Sequence, residues 1–168
     1  VQLHRALGKT QVLTADVAGL PVGIVVEDAI VNASAFSDAV KKMLAHQSTA
    51  QNASIALAGS KVVIKQIPLE KRLSDDVAET LAWQEAKRSF PELAKSLMLD
   101  FAQVDSVAQS GEKKYFLLLV VARKEDITPR VDSLQQAGLT TKIVDVDYYA
   151  LERAYPLFAS QLSAGHEN

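Results

Sequence analysis

Residues 115–122 (YFLLLVVA) are an unbroken apolar run followed at once by the polar corner Arg123, Lys124, Glu125 and Asp126. The run is too short to span a bilayer and has the length of a strand buried on both faces. The residues after the corner predict a helix with start and stop signals of its own. Thr128 is placed to cap it, Pro129 suits its first position, Val131 and Leu134 supply apolar spacing, and Gly138 suits the C′ position. Residues 142–146 (KIVDV) then read as a strand, and 148–155 as a further helix.

The rest of the chain carries the same mixture of periods. Residues 1–5 and 10–18 are strand-like, with a turn at Gly8 and Lys9, so a hairpin is predicted. Residues 20–23 (LPVG) break the pattern and open an irregular connection to about Asn32. A helix follows in which Ser34 can serve as cap, and Phe36, Val40, Met43 and Leu44 fall on one stripe. Short strands are predicted at 54–58 and 61–67, joined by a turn at Gly59 and Ser60, with Pro68 ending the second or placing it at a sheet edge.

Ser74 caps a second helix whose first turn carries Asp75 and Asp76, a favourable placement against the helix dipole. Its packing face is read as Val77 and Leu81 with the small residues Ala78, Ala82 and Ala86. Pro91 stops this helix just after Phe90. Residues 96–104 alternate as a strand, Leu97, Leu99 and Phe101 against the polar Asp100 and Gln103, and 110–114 (SGEKK) form a polar turn. The predicted fold class is α/β. A small three-stranded sheet with helices, in the order strand, helix, strand, strand, is inserted between the pieces of another sheet.

Composition narrows the functional classes. Hydrophobic residues make up 48% of 168, enough for a real core, and the formal net charge of −2 argues against wrapping nucleic acid on a basic face. Cysteine is absent, so there is no disulfide framework, thiolate nucleophile or Cys-based zinc site. His4, His46 and His166 have no ligand spacing, and no metal site is expected. No Ser/His/Asp grouping accompanies a nucleophile-elbow pattern. The first residue is Val and the chain closes on GHEN, which reads as a piece of a longer protein.

Four blocks, SIALAGSKVVIKQIPL (54–69), LSDDVAETLAWQEAKRSFP (73–91), LMLDFAQV (97–104) and FLLLVVARKEDITPRVDSLQQAGLTTKIVDVDYYALERAY (116–155), resemble successive blocks of the PilM family. These are actin-like cytoplasmic proteins of type IV pilus assembly, related to FtsA. The resemblance implies a partial actin-like subdomain 1A, residues 1–60 and 139–168, interrupted by the family-specific subdomain 1C, residues 61–138. The actin-like part of the type II secretion protein GspL, or FtsA itself, is the alternative. An unrelated ferredoxin-like ligand-binding domain would leave the hairpin at 1–18 and the helix at 148–155 without a purpose.

The resemblance also implies a partner, a cofactor and site residues. In PilM-like proteins a groove between 1A and 1C receives the N-terminal cytoplasmic peptide of PilN, an inner-membrane protein. Glu85, Arg88, Phe90 and Arg123 are the rim residues implied here, and the chain would sit in the cytoplasm, peripheral to the inner membrane through its partner. Family members bind ATP with Mg through phosphate loops that are not among these residues, so the chain itself is expected to be no enzyme and to hold no nucleotide. Asp147 is the residue that would lie near the nucleotide in the parent; in this chain the preferred reading is that it caps the helix after it. Exposed apolar surface on the partial 1A is expected to favour a homo-oligomer.

Overall fold

The computed structural model describes residues 1–6, 9–45, 50–107 and 112–163. They form a mixed α/β chain that divides into two compact units, Val1–Ala56 with Ile127–Asp145, and Leu57–Asp126 with Val146–Asn168.

The first unit opens with β1 (Gln2–Ala6) and β2 (Lys9–Thr14), antiparallel, with Ala6 opposite Lys9 and Gln2 opposite Thr14. The second strand ends at Thr14, short of the expected residue 18. Gly8, the predicted turn residue, lies outside the described residues, and Lys9 already belongs to β2. The connection that read as irregular contains a small hairpin, β3 (Val25–Val26) and β4 (Ala29–Ile30). Its corner residues Glu27 and Asp28 have φ of 47° and 62°, the left-handed values that a two-residue hairpin turn demands. Arg130 steadies that corner: it donates to the Asp28 carbonyl, and its Nη2 lies 3.0 Å from Asp28 Oδ2.

Helix α1 (Ala33–Ala45) starts one residue earlier than its predicted cap. Asn32 does the capping, its Oδ1 accepting the Ala35 N–H at 3.0 Å, while Ser34 lies inside the first turn. Phe36, Val40 and Leu44 are half-buried as the stripe required, and Met43 is exposed. Strands β5 (Asn52–Leu57) and β9 (Thr140–Val146) pair with each other in a separate two-stranded sheet.

The second unit is built on three antiparallel strands, β6 (Val62–Leu69), β7 (Leu97–Val107) and β8 (Lys113–Arg123), in the order β6-β8-β7. Helix α2 (Asp75–Ser89) joins β6 to β7, so the sequence order strand, helix, strand, strand is realised. The apolar run sits at the centre because only the central strand can bury an uninterrupted hydrophobic segment. Along it Leu117, Leu119 and Val121 are buried, and with Ala78 and Ala82 of α2 the first two form the core. Burial on both faces was too strong an expectation: on the other face Phe116, Leu118 and Val120 are only half-buried.

Two side-chain placements also differ from the pattern. Val77, read as inward, is 53% exposed; the inward stripe is Ala78, Ala82, Glu85 and Ala86. The three alanines let the helix backbone approach the sheet, and that offset turns Val77 out. Gln103 shares the face of Leu99 and Phe101, because an odd-numbered residue of β7 points toward α2. It is satisfied there by the Leu73 backbone, accepting its N–H at 2.8 Å and donating to its carbonyl at 3.0 Å. Pro68 lies inside β6 opposite Phe116, tolerated because β6 is an edge strand.

The helix expected from Thr128 and Pro129 begins earlier. Helix α3 (Lys124–Gln136) starts directly at the end of β8, with the Lys124 N–H bonded to the Ser96 carbonyl at 2.7 Å and Pro129 inside it. Glu125 and Asp126 fill the first turn, where negative charge suits the helix dipole. Its end is as read. Gly138 has φ of 87°, the Leu139 N–H reaches the Leu134 carbonyl at 2.9 Å, and the Gly138 N–H reaches Gln135 at 2.9 Å. Buried Leu134 and Leu139 complete this Schellman closure. Helix α4 (Asp147–Ser163) is longer than the predicted 148–155.

Candidate functional site

Charged and aromatic residues gather at the end of the second unit where α2 finishes, β6 and β7 begin and β8 ends. Lys65 points from β6 to the α2 side of the sheet, since it stands opposite buried Leu119. There it meets Glu85, whose carboxylate side chain is only 10% exposed. Lys65 Nζ donates to Glu85 Oε1 at 2.5 Å and to Ser89 Oγ at 2.9 Å. Arg88, one turn along α2, reaches the same carboxylate from solvent, its Nε 3.0 Å and its Nη2 2.7 Å from Oε2. Ser89 Oγ donates to Oε1 at 3.1 Å.

The hydrogen bond from Lys65 is the main reason the Glu85 carboxyl is held below the ordinary glutamate value. Burial opposes the shift, and Arg88 and Ser89 add to it. Glu85 is therefore ionised and fully engaged. Arg88, its side chain 76% exposed, is held to it by hydrogen bonds from Nε and Nη2. Phe90, half-buried, ends α2 with its N–H on the Ala86 carbonyl at 2.9 Å, and Pro91 prevents continuation.

Arg123 closes β8 opposite Leu97, at the same end of the sheet. It is exposed, and its Nη1 meets Glu125 Oε1 at 3.2 Å, a pair separate from the Glu85 cluster. Of the four rim residues read from sequence, Glu85 and Arg88 are thus bonded to each other, Phe90 adjoins them, and Arg123 keeps its own partner. Trp83 is half-buried, with Lys87 Nζ 5.9 Å from the ring centroid. Lys65 was missed. Its signal was parity, a lone lysine in VVIKQIPL on the same face as Val63 and Ile67.

Asp147 begins α4 and bonds to a distant turn. Its Oδ1 accepts the Gly59 N–H at 3.1 Å and the Tyr148 N–H at 2.7 Å. Gly59 can be nothing larger without movement, for a Cβ there would lie 2.8 Å from Tyr148 Cε1. Partial loss of water around the hydroxyl is the first cause that raises Tyr148 above the usual tyrosine value, with Tyr149 and Asp147 adding to it, although the residue as a whole is 42% exposed.

A groove of about 480 Å³ runs beside β6 and α2, lined by Pro68, Leu69, Leu73, Val77, Leu81 and Gln84 among others. In the first unit a hollow of about 560 Å³ lies over α1, lined by Asp16, Pro21, Ile24, Ala39 and Met43 among others. Among the described residues no group of His, Cys, Asp and Glu could hold a metal ion. No helix there is long and apolar enough to cross a membrane.

Comparison with known proteins agrees with the resemblance in the sequence blocks. A chain of a solved PilM-PilN type IV pilus biogenesis complex superposes with a TM-score of 0.64 at 26% identity. The match covers 83% of this chain and 41% of that one, so the chain spans about two fifths of its length. The family described as type IV pilus assembly protein PilM matches residues 1–168, the whole sequence, and the chain therefore belongs to the PilM family.

Proposed function

We propose that the chain is an interaction component of type IV pilus assembly that binds the N-terminal cytoplasmic peptide of a PilN-like inner-membrane protein. It would work in the cytoplasm, held at the inner membrane by that partner, as a scaffold and not as an enzyme. The observation that carries this reading is the likeness to a chain of a PilM-PilN complex. On the same reading residues 61–138 belong to the inserted subdomain 1C, and residues 1–60 and 139–168 to a partial actin-like 1A.

The charged end of the second unit offers contacts of the right kind. Phe90 supplies apolar area, Arg88 and Arg123 supply donors, and Glu85 holds Arg88 in place. Titrating the PilN-like peptide into wild type, Phe90→Ala and Lys87→Ala tests it. Phe90→Ala is expected to weaken binding by about tenfold, because a buried aromatic anchor carries much of an interface. Lys87→Ala is expected to change it by less than about twofold, as exposed charges contribute little. Equal binding by all three proteins would move the site elsewhere on the chain.

ATP with Mg belongs to the longer parent on this reading, with Asp147 near the nucleotide there. Among the described glycines, Gly59 lies against Tyr148 and Asp147, and Gly23 and Gly138, at positive φ, stand singly in separate turns, which supports this reading. Calorimetry with Mg-ATP is expected to show no binding; micromolar affinity would overturn this assignment. Leu3, Val12 and Leu13 are exposed in the β1–β2 hairpin, which favours a homo-oligomer. Light scattering that shows only monomer at high concentration would count against it.

A further inference from the structure

The three-stranded sheet has two outer strands, β6 and β7, and one residue fixes which backbone groups face outward. Pro68 has no N–H to give, and an edge strand tolerates a proline whose nitrogen lies on the solvent side. Antiparallel partners alternate between bonded and non-bonded pairs. The even residues of β6 therefore turn their groups outward, and the odd ones bond to β8. Leu119, opposite Lys65, serves β6 with the other odd residues of β8, and the even residues of β8 serve β7. In β7 the even residues are thereby engaged. The groups left at its outer edge belong to Leu97, Leu99, Phe101, Gln103, Asp105 and Val107.

Two of these outward groups are already taken. The Phe101 N–H donates to Asp100 Oδ1 at 2.9 Å. The Gln103 carbonyl accepts from Arg72 Nη2 at 3.4 Å. Arg72 is kept beside β7 because the Gln103 side-chain amide grips the next residue, Leu73, at both its N–H and its carbonyl. Both contacts fall on odd residues, the parity that Pro68 demands from the opposite edge. The edge they cover is eleven residues long and contains no proline. An open edge of that length is a template for another strand.

We infer that Asp100 and Arg72 are guards that close the middle of the β7 edge against strand addition, above all by β7 of a second copy of this chain. Two such edges pairing about a two-fold axis through their middles need the Phe101 N–H and the Gln103 carbonyl of each copy for the central ladder. Both groups are occupied within the chain. Pairing would also bring the exposed Asp100 and Asp105 of each copy to one seam, where like charges repel. The second unit thus meets other chains through side chains and not through the backbone of β7. This edge is separate from the exposed β1–β2 hairpin that favours a homo-oligomer.

Sedimentation velocity and amide hydrogen exchange test the guards in wild type, Asp100→Asn, Asp100→Val and the double variant Asp100→Val/Arg72→Ala. Asn keeps an Oδ1 acceptor for the Phe101 N–H, whereas Val removes it and suits a strand. The double variant is expected to self-associate about tenfold more tightly than wild type, with exchange slowed across 97–107. Asp100→Asn is expected to stay within about twofold of wild type. Unchanged self-association of the double variant overturns the inference. So does new association that protects residues 2–14 instead, which assigns the contact to the hairpin. Asp100→Asn associating as tightly as Asp100→Val overturns the hydrogen-bonded guard. Wild type alone supplies a test that needs no folded variant. Corrected for intrinsic rate, its Phe101 amide is expected to exchange about tenfold more slowly than the outward Leu99 amide, and equal rates overturn the role of Asp100.

Discussion

Replacing Leu119 by alanine lowers the unfolding free energy of the second unit by about 3 kcal/mol. Leu119 is 1% exposed in the central strand, with Lys65 and Phe101 opposite it in the flanking strands and Ala78 and Ala82 in the same core cluster. Truncation removes buried methyl groups and leaves a hole that the alanines are too short to fill, and the three hydrogen-bonded strands cannot close around it. The only tryptophan of the chain, Trp83, lies on α2, so its fluorescence during urea unfolding reports this unit. Val77→Ala is the control, expected to cost less than about 0.5 kcal/mol because the residue faces solvent. A loss below about 1 kcal/mol for Leu119→Ala would mean that α2 does not close this face of the sheet.

What could be read from the sequence followed from how strongly each segment is forced. The run 115–122 had to be a central strand, because no exposed edge tolerates eight apolar residues in succession. Gly138 was legible because a helix end that turns left-handed favours glycine; Pro68 left two readings, and β6 runs on through it to Leu69 as an edge strand that accepts its missing N–H. The reading failed where two local rules competed. Pro129 suits the first position of a helix, yet the α3 backbone follows straight from β8, with acidic residues already in its first turn. Ser34 and Asn32 are both good caps, and the choice between them depends on how the chain enters from β4.

The buried stripe of α2 is the instructive failure, because it contains three alanines and a glutamate and so carries little hydrophobic signal. Apolar character alone puts Val77 inward, whereas the small residues Ala78, Ala82 and Ala86 mark the close approach to the sheet. Glu85, a charged residue outside the predicted packing face, is buried on that same stripe. Only the lysine at the inward parity of β6 could have warned that a carboxylate was needed beneath the helix. That pairing could not be found by spacing within either element, since Lys65 and Glu85 lie on different ones.

Glu85 also makes the stability of the second unit depend on pH in a direction fixed by its surroundings. Its folded-state carboxyl is held below the ordinary value by Lys65 first, against burial, with Arg88 and Ser89 assisting. A depressed carboxylate contributes stability that is fully present above the unfolded value and is lost as pH falls through the folded one. The Glu85→Gln variant keeps the shape and removes the charge, so Lys65 and Arg88, still cationic, share one neutral amide oxygen in place of two carboxylate oxygens. At pH 7 it is expected to be less stable than wild type by about 1–2 kcal/mol. The cost stays below that of breaking a fully buried pair because Lys65 and Arg88 are 40% and 76% exposed and regain water. Urea unfolding followed at Trp83 from pH 7 down to about pH 3 checks the sign: the gap between the two proteins should hold at neutral pH and close at the acid end. A gap that stays constant across that range would mean that Glu85 is not the charged partner of Lys65 in solution.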